Sequence, residues 1–242
     1  MSDVLEFENV SRTFRGGAGV TDATFVIEPG EIVALIGLNG AGKTTLMRLA
    51  LGMLRPQAGT VNVLGVPADE ASSAQWARVG ALIEVPLAYP ELTVRKNLHL
   101  AALLHGATSE RAQNAIGTWQ LAPVADRRFR HLSLGNRQRV GLASAMQHDP
   151  SLILLDEPSN ALDPASVIRL REELIRRARA GASILVSSHH LDEVARIADR
   201  VLLMNAGRLI GSLDTSGQDL ERAFFDRIRE DDERRQGTQA TR

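Results

Sequence analysis

The nine residues Gly37-Leu38-Asn39-Gly40-Ala41-Gly42-Lys43-Thr44-Thr45 come directly after the apolar run of residues 32–36 and match G-x-x-x-x-G-K-[ST] at every fixed position. A buried strand that empties into such a loop and continues as a helix leaves few folds open: it belongs to an α/β sheet. Glycines let backbone N–H groups close around an anion, and the N-terminus of the following helix points at the same place. Gly37, Asn39, Gly40, Ala41, Gly42, Lys43, Thr44 and Thr45 are therefore the expected contacts of a nucleoside triphosphate, ATP or GTP. Lys43 would reach the β- and γ-phosphates, and the Thr44 hydroxyl would ligate Mg2+. Of the 28 lysines and arginines only Lys43 and Lys96 are lysine. In a chain so biased toward arginine, chemistry holds a compact ammonium at the loop, where a planar guanidinium is no substitute.

With 242 residues, 44% hydrophobic and 24% charged, the chain can bury one large core, or one core with an inserted subdomain. A net charge of −1 and 4% aromatic residues give neither the field nor the stacking platforms for nucleic acid, so no nucleic-acid partner is expected. The absence of cysteine removes disulfides, iron–sulfur clusters and thiolate zinc sites. No apolar run approaches the ~18 residues of a membrane helix. The start of the chain carries Asp3, Glu6 and Glu8 in place of a basic, apolar leader, so a membrane role has to come through a partner.

Residues 4–10 and 23–28 alternate in period two and predict a small strand-rich region before the loop. Residues 32–36 form a buried central strand, 42–51 its helix, and 59–64 and 79–83 further strands. From 93 to about 147 the pattern turns helical: Leu98, Ala101, Ala102 and His105 share a face, and segments 111–121 and 134–146 follow. Strands return at 152–155, 183–187 and 201–204, separated by helical stretches such as 164–179, which predicts a mainly parallel sheet wound by crossover helices. After Ile228 the chain is charged and lacks apolar anchors, so residues 229–242 are expected to be a disordered tail.

Residues 152–158, Leu-Ile-Leu-Leu-Asp-Glu-Pro, are four apolar residues that deliver two acids to a sheet edge. Asp156 suits a Mg2+ ligand, and Glu157 the base that orients or activates a water. His189 follows an apolar strand at the same edge, where a γ-phosphate would lie.

The segment Leu132-Ser133-Leu134-Gly135-Asn136-Arg137-Gln138-Arg139 resembles the L-S-G-G-Q-x-Q-R signature of ATP-binding cassette (ABC) ATPases. Residues 159–164, ending Asp163-Pro164, look like that family's D-loop, and Ser187-Ser188-His189 like its switch-histidine segment. The motifs stand in the family's order over most of residues 4–211. The resemblance implies an α/β fold of the P-loop NTPase, ABC ATPase type: a mainly parallel sheet with helices, an N-terminal antiparallel β region and an inserted α-helical subdomain. It would place the ATPase domain at residues 1–228, with the helical subdomain at about 85–147. It also implies that Ser133 and Gly135 contact the γ-phosphate of ATP bound to a second subunit, with Asp163 near that shared site.

Two departures narrow the resemblance. Leu134 and Asn136 replace a glycine and the glutamine of the signature, at positions that vary among drug and peptide-antibiotic exporters. Glu84 ends a strand where the family usually has glutamine, and this is similar to the subgroup of bacterial exporters that confer resistance to bacitracin-like peptides or immunity to lantibiotics. Glu84 would then ligate Mg2+ and take part in catalysis; the alternative is a solvated acid at a strand end. Phe14 stands where the family stacks an aromatic on adenine, and a core phenylalanine is the other reading. His99, His105, His131, His148 and His190 have no such context and read as surface or locally hydrogen-bonded groups. The arginines at 127, 128 and 130 and at 176, 177 and 179 read as solvated faces, the first set also as a face toward a membrane partner.

The resemblance thus implies an ATP- and Mg2+-dependent hydrolase that powers an exporter of drugs or peptide antibiotics. It would act as a homodimer, or a heterodimer with a similar subunit, docked on a permease at the inner, cytoplasmic face of the membrane. An importer subunit of the same fold and a soluble, non-transport ABC ATPase are the alternatives.

Overall fold

The computed structural model describes residues 3–189, 191, 195–213 and 220–239. Among the described residues ten strands form two sheets. Strands β1 (Leu5–Thr13), β2 (Gly19–Ile27), β4 (Ala58–Val63) and β5 (Val66–Pro67) make an antiparallel sheet in the order β2-β1-β4-β5. Strands β3 (Ile32–Ile36), β6 (Val79–Leu82), β7 (Leu152–Asp156), β8 (Ser183–Ser188), β9 (Arg200–Asn205) and β10 (Arg208–Leu213) make the second, in the order β10-β9-β3-β8-β7-β6. All its pairs are parallel except the β9–β10 hairpin.

Every residue of β3 and of β7 is buried, because both faces of this sheet are covered. Ile32, Ala34, Ile153, Leu155, Ile184 and Val186 point to one face, and Val33, Leu35, Leu152, Leu154 and Leu185 to the other. Continuous apolar runs are what two covered faces require. The second face packs on the antiparallel sheet, through Leu5, Phe7 and Val10, and on helix α1 (Lys43–Ala50), through Leu46 and Leu49. The first face packs on α3 (Val94–Leu104), α4 (Ser109–Thr118) and α5 (Leu134–Met146), and beyond them on α6 (Pro164–Arg179) and α7 (Leu220–Gln239); a short α2 (Ser73–Trp76) precedes β6. Trp119 and Leu121 are fully buried there, each worth about 2 kcal/mol. Helix α5 lies on β6 at backbone distance. A side chain at Gly80 would run into the Ala145 carbonyl, and one at Gly141 would come 2.8 Å from Pro86 and 2.9 Å from Leu82.

Helices α5 and α6 span the residues expected of them, and most strands lie within a few residues of their expected bounds. Two expectations are corrected. Residues 229–239, expected to be disordered, continue helix α7. Phe224 and Ile228, one turn apart, bury that helix on the sheet, and beyond them its charges pair along the helix, as in Arg234–Glu230 at 3.6 Å and Arg235–Asp232 at 3.6 Å. Strand β10 was not expected at all. It forms because Ala206 (φ 44°) and Gly207 (φ 81°) make a two-residue hairpin turn.

Of the arginines at 176, 177 and 179 only Arg177 differs from its sequence reading, and two histidines meet in a way that the sequence does not show. Arg177 is buried, with its guanidinium on Glu173 at 2.8 Å and Asp149 at 2.7 Å. The His105 and His148 rings stack at 3.8 Å. His148 faces His105 at the end of α3, Arg111 of α4, Arg177 of α6 and the Val79 carbonyl, 3.3 Å from Nε2. Burial first, and then the neighbouring cations, push its pKa from 6.5 down to about 4. The unfolded chain therefore takes up this proton first. The stabilisation is complete above about pH 6.5 and is lost as the pH falls toward 4. Thermal melts at pH 7 and pH 5 are expected to show the loss, and His148→Phe, which keeps the stacked ring, to remove most of the difference; an unaltered pH dependence would place the titration elsewhere. His190 lies outside the described residues.

Candidate functional site

The parallel register brings the chemistry to one sheet edge. Asp156, the last residue of β7, pairs with Ser187 of β8, and Leu35 and Ile36 of β3 pair with Ser187 and Ser188. The loop after β3 emerges beside the two acids and the histidine segment. Gly40 (φ 82°) and Gly42 (φ 108°) adopt conformations that favour glycine. A side chain at Gly37 would strike the Met204 carbonyl, and a Cβ at Gly42 would lie 2.6 Å from the Gly19 carbonyl. The loop is thus wedged from behind while Gly40 faces open space, and a backbone bend of this kind is one that an anion fills.

Lys43 is buried beneath the loop. Its Nζ donates to the carbonyls of Gly37 (2.7 Å) and Leu38 (3.4 Å) and pairs with Glu157 Oε1 at 3.3 Å. Glu157 Oε2 accepts from the His189 backbone amide at 3.2 Å and meets the ring Nδ1 at 2.7 Å. The Glu157 carboxylate is therefore held between a lysine and a histidine, on a backbone in the left-handed region (φ 49°) that aims it away from the strand. Thr44 Oγ1 donates to Asp156 Oδ2 at 2.7 Å, so the loop hydroxyl and the strand-end acid are already adjacent.

Ser187 is the functional residue that the sequence motif understates. Fully buried, its hydroxyl donates to Asp156 Oδ1 at 2.6 Å and accepts from the Glu157 backbone amide at 3.0 Å, so one side chain orients both acids. The available signal was a hydroxyl closing the otherwise apolar strand 183–187, one strand away from the acids.

The other expected residues fall into separate places. Asn39 is exposed on the loop and Thr45 is half-buried on α1. Phe14 is 41% exposed, with the Arg12 guanidinium 5.3 Å from its ring centroid, which excludes the core reading. Its turn leads into Gly19, whose carbonyl abuts Gly42. Glu84 (φ 58°) pairs with Arg48, one turn along α1 from Thr44, while Thr44 itself bonds Asp156. Ser133 caps α5 by accepting from the Asn136 amide at 3.3 Å. A Cβ on Gly135 would lie 2.7 Å from the Ala161 carbonyl. Asp163 caps α6, and the Ser166 amide on its Oδ1 (2.8 Å) holds its carboxyl below the usual range. Gln138 donates to the Pro158 carbonyl at 3.0 Å, tying α5 to the segment that leads to Asp163. Ser133, Gly135 and Asp163 thus form a second group, joined to one another through residues 158–163.

The donor set offered to a cation is one hydroxyl and one carboxylate. Among the described residues no cluster of three or more His, Cys, Asp or Glu side chains could hold a metal by itself. That fits a hard cation that keeps waters and is completed by phosphate oxygens.

Comparison with known proteins agrees with this geometry. Residues 20–160 match the ABC transporter family. The chain is 34% identical over 226 residues to the uncharacterized ABC transporter ATP-binding protein YhcH of Bacillus subtilis (strain 168), covering 91% of this chain and 73% of the relative. It is 36% identical over 221 residues to the bacitracin transport ATP-binding protein BcrA of Enterococcus faecalis, covering 89% and 71%. A solved ATP-binding subunit of an ABC transporter superposes with a TM-score of 0.85 at 28% identity, covering 93% of this chain and 99% of the other. With the loop, both acids and the histidine assembled at one sheet edge, the chain belongs to the ABC transporter family and is one of its ATP-binding, ATP-hydrolysing members.

Proposed function

We propose that this chain powers a bacterial exporter of drugs or peptide antibiotics, acting as a dimer docked on an integral-membrane permease at the inner face of the membrane. The observation that carries the reading is an apolar groove of about 380 Å³, lined by Leu87, Tyr89, Pro90, Leu100 and Leu104, that begins three residues after Glu84. Leu87 is 88% exposed and Leu104 74%, an apolar surface of the kind that marks an interaction site. No described helix is long and apolar enough to cross a membrane, and in this reading the membrane-spanning part of the machine is a separate permease chain. Glu84 and the similarity to a bacitracin transport protein support export of a peptide antibiotic.

In this reading the loop amides and the N-terminus of α1 hold the triphosphate, and Thr44 and Asp156 hold Mg2+. Bound there, Mg2+ would neutralise charge on the phosphate oxygens. A triphosphate competes with Glu157 for the Lys43 ammonium, so binding substrate loosens the Lys43–Glu157 pair. Glu157 then takes a proton from the water whose oxygen attacks the γ-phosphorus. The bond to the β-phosphate oxygen breaks, and ADP and phosphate result. His189 keeps the Glu157 carboxylate aimed, through its amide and its ring. Ser133 and Gly135 serve the nucleotide on the partner chain from the N-terminus of α5.

Pull-down from native membranes should recover an integral-membrane permease. When the pair is reconstituted in vesicles, ATP on the side of this subunit should drive a cyclic peptide antibiotic to the opposite side. Transport toward the ATP side makes the protein an importer subunit. Recovery only with ribosomes, DNA or soluble assembly factors overturns the reading altogether.

A further inference from the structure

The phosphate loop is braced from behind by the β9–β10 hairpin. Gly207 N donates to the Ala41 carbonyl at 2.9 Å, and Gly207 O accepts from Thr21 N at 2.7 Å. The Met204 carbonyl closes on Gly37, and the Met204 methyl would lie 2.7 Å from a Cβ on Gly42. Both ends of the loop therefore rest on residues 204–207. Between them sits Asn205, 7% exposed, with its side chain turned the other way: Nδ2 donates to Asp231 Oδ2 at 2.8 Å and Asp232 Oδ1 at 2.9 Å on helix α7.

We infer that Asn205 is a positioning residue through which the C-terminal helix sets the geometry of the phosphate loop. Hydrogen bonds from a buried amide to two carboxylates are strong, and they leave the last residue of β9 little room to move. The next residue, Ala206, holds a positive φ of 44°, a conformation that alanine keeps only when its neighbours over-determine it. Phe224 and Ile228 fix the helix to the sheet, so Asp231 and Asp232 are presented from a firm base. Phosphate binding depends on the direction of the loop amides, and the Gly207–Ala41 bond passes the position of the hairpin directly to that loop. Helix α7 thus does more than cover the sheet edge: its acids reach the nucleotide loop through one side chain and one turn.

The test uses the full-length protein. Asn205→Ala, and separately Asp231→Ala with Asp232→Ala, should raise KM for ATP about threefold or more while kcat stays within about twofold. Amide hydrogen exchange across residues 37–45 should speed up in both. Asp231→Asn with Asp232→Asn retains an acceptor oxygen at each position and should return KM toward wild type. Trp119→Phe, in the helical insertion, is the control that lowers melting temperature without touching the hairpin. The inference is overturned if KM is unmoved in the alanine variants, or if Trp119→Phe raises KM equally at an equal loss of melting temperature. Should Asn205→Ala fail to fold, the contrast between the alanine and asparagine variants at Asp231 and Asp232 decides.

Discussion

Glu157→Gln is expected to lower ATP turnover by about 100-fold or more while ATP binding is kept. The two side chains have the same shape, but only the carboxylate can accept the proton of an attacking water. Glutamine also cannot reproduce both sets of contacts. Oε2 now accepts from the His189 amide, and Oε1 faces Lys43 at 3.3 Å. One of these positions must become an N–H group, and directed at Lys43 it leaves the ammonium more available to a triphosphate. Binding therefore holds or tightens, and a stable ATP-bound dimer should appear on size exclusion. Single-turnover hydrolysis measured beside equilibrium ATP binding separates the two effects. Wild-type turnover in the variant removes Glu157 as the base.

Lys43→Ala acts earlier, at binding. It removes the cation facing a Glu157 carboxylate that is only 18% exposed, and the donor to the Gly37 carbonyl at 2.7 Å. Losing a charged hydrogen-bond partner costs about 1.5–3 kcal/mol, which corresponds to a fall in ATP affinity of roughly 10- to 150-fold. Lys43→Arg should not restore it, because the buried slot beneath Gly37 and Leu38 matches a point-like ammonium and not a planar fork. Calorimetric titration with ATP reads both variants, and affinity unchanged in Lys43→Ala contradicts the role given to this lysine.

What could be read from the chain was whatever is local. Gly37 to Thr45, the acids after residues 152–155 and the helix spans 134–146 and 164–179 are each carried by contiguous residues, and the structure places each as a strand end, loop or helix accordingly. Ser187 and Asn205 were not legible in the same way, because their roles arise from register and docking. Ser187 matters since β8 lies beside β7 with Asp156 opposite it. Asn205 matters since Asp231 and Asp232, 26 and 27 residues later, return to it. Strand β10, whose Leu209, Ile210 and Leu213 do not alternate in period two, is ordered by a hairpin turn, and the polar end of α7 by charge pairs along a helix. His105 and His148 meet only because α3 and the end of α5 pack together. Glu84 is the reverse case: its place after β6 was readable, and its pairing with Arg48 was not.

The backbone contact between Gly80 and Ala145 makes α5 a lever. Its fulcrum is near the C-terminal end of the helix, where β6 meets the Ala145 carbonyl, and Ser133 is at the opposite tip, about 18 Å away at the rise of an α-helix. A 10° tilt about that fulcrum carries Ser133 through about 3 Å while leaving Ala145 in place, roughly the length of one hydrogen bond. On the proposed reading, in which Ser133 serves a nucleotide on the partner chain, a small displacement of the insertion would engage or release the serine at the tip, and bulk at residue 80 would shift the fulcrum.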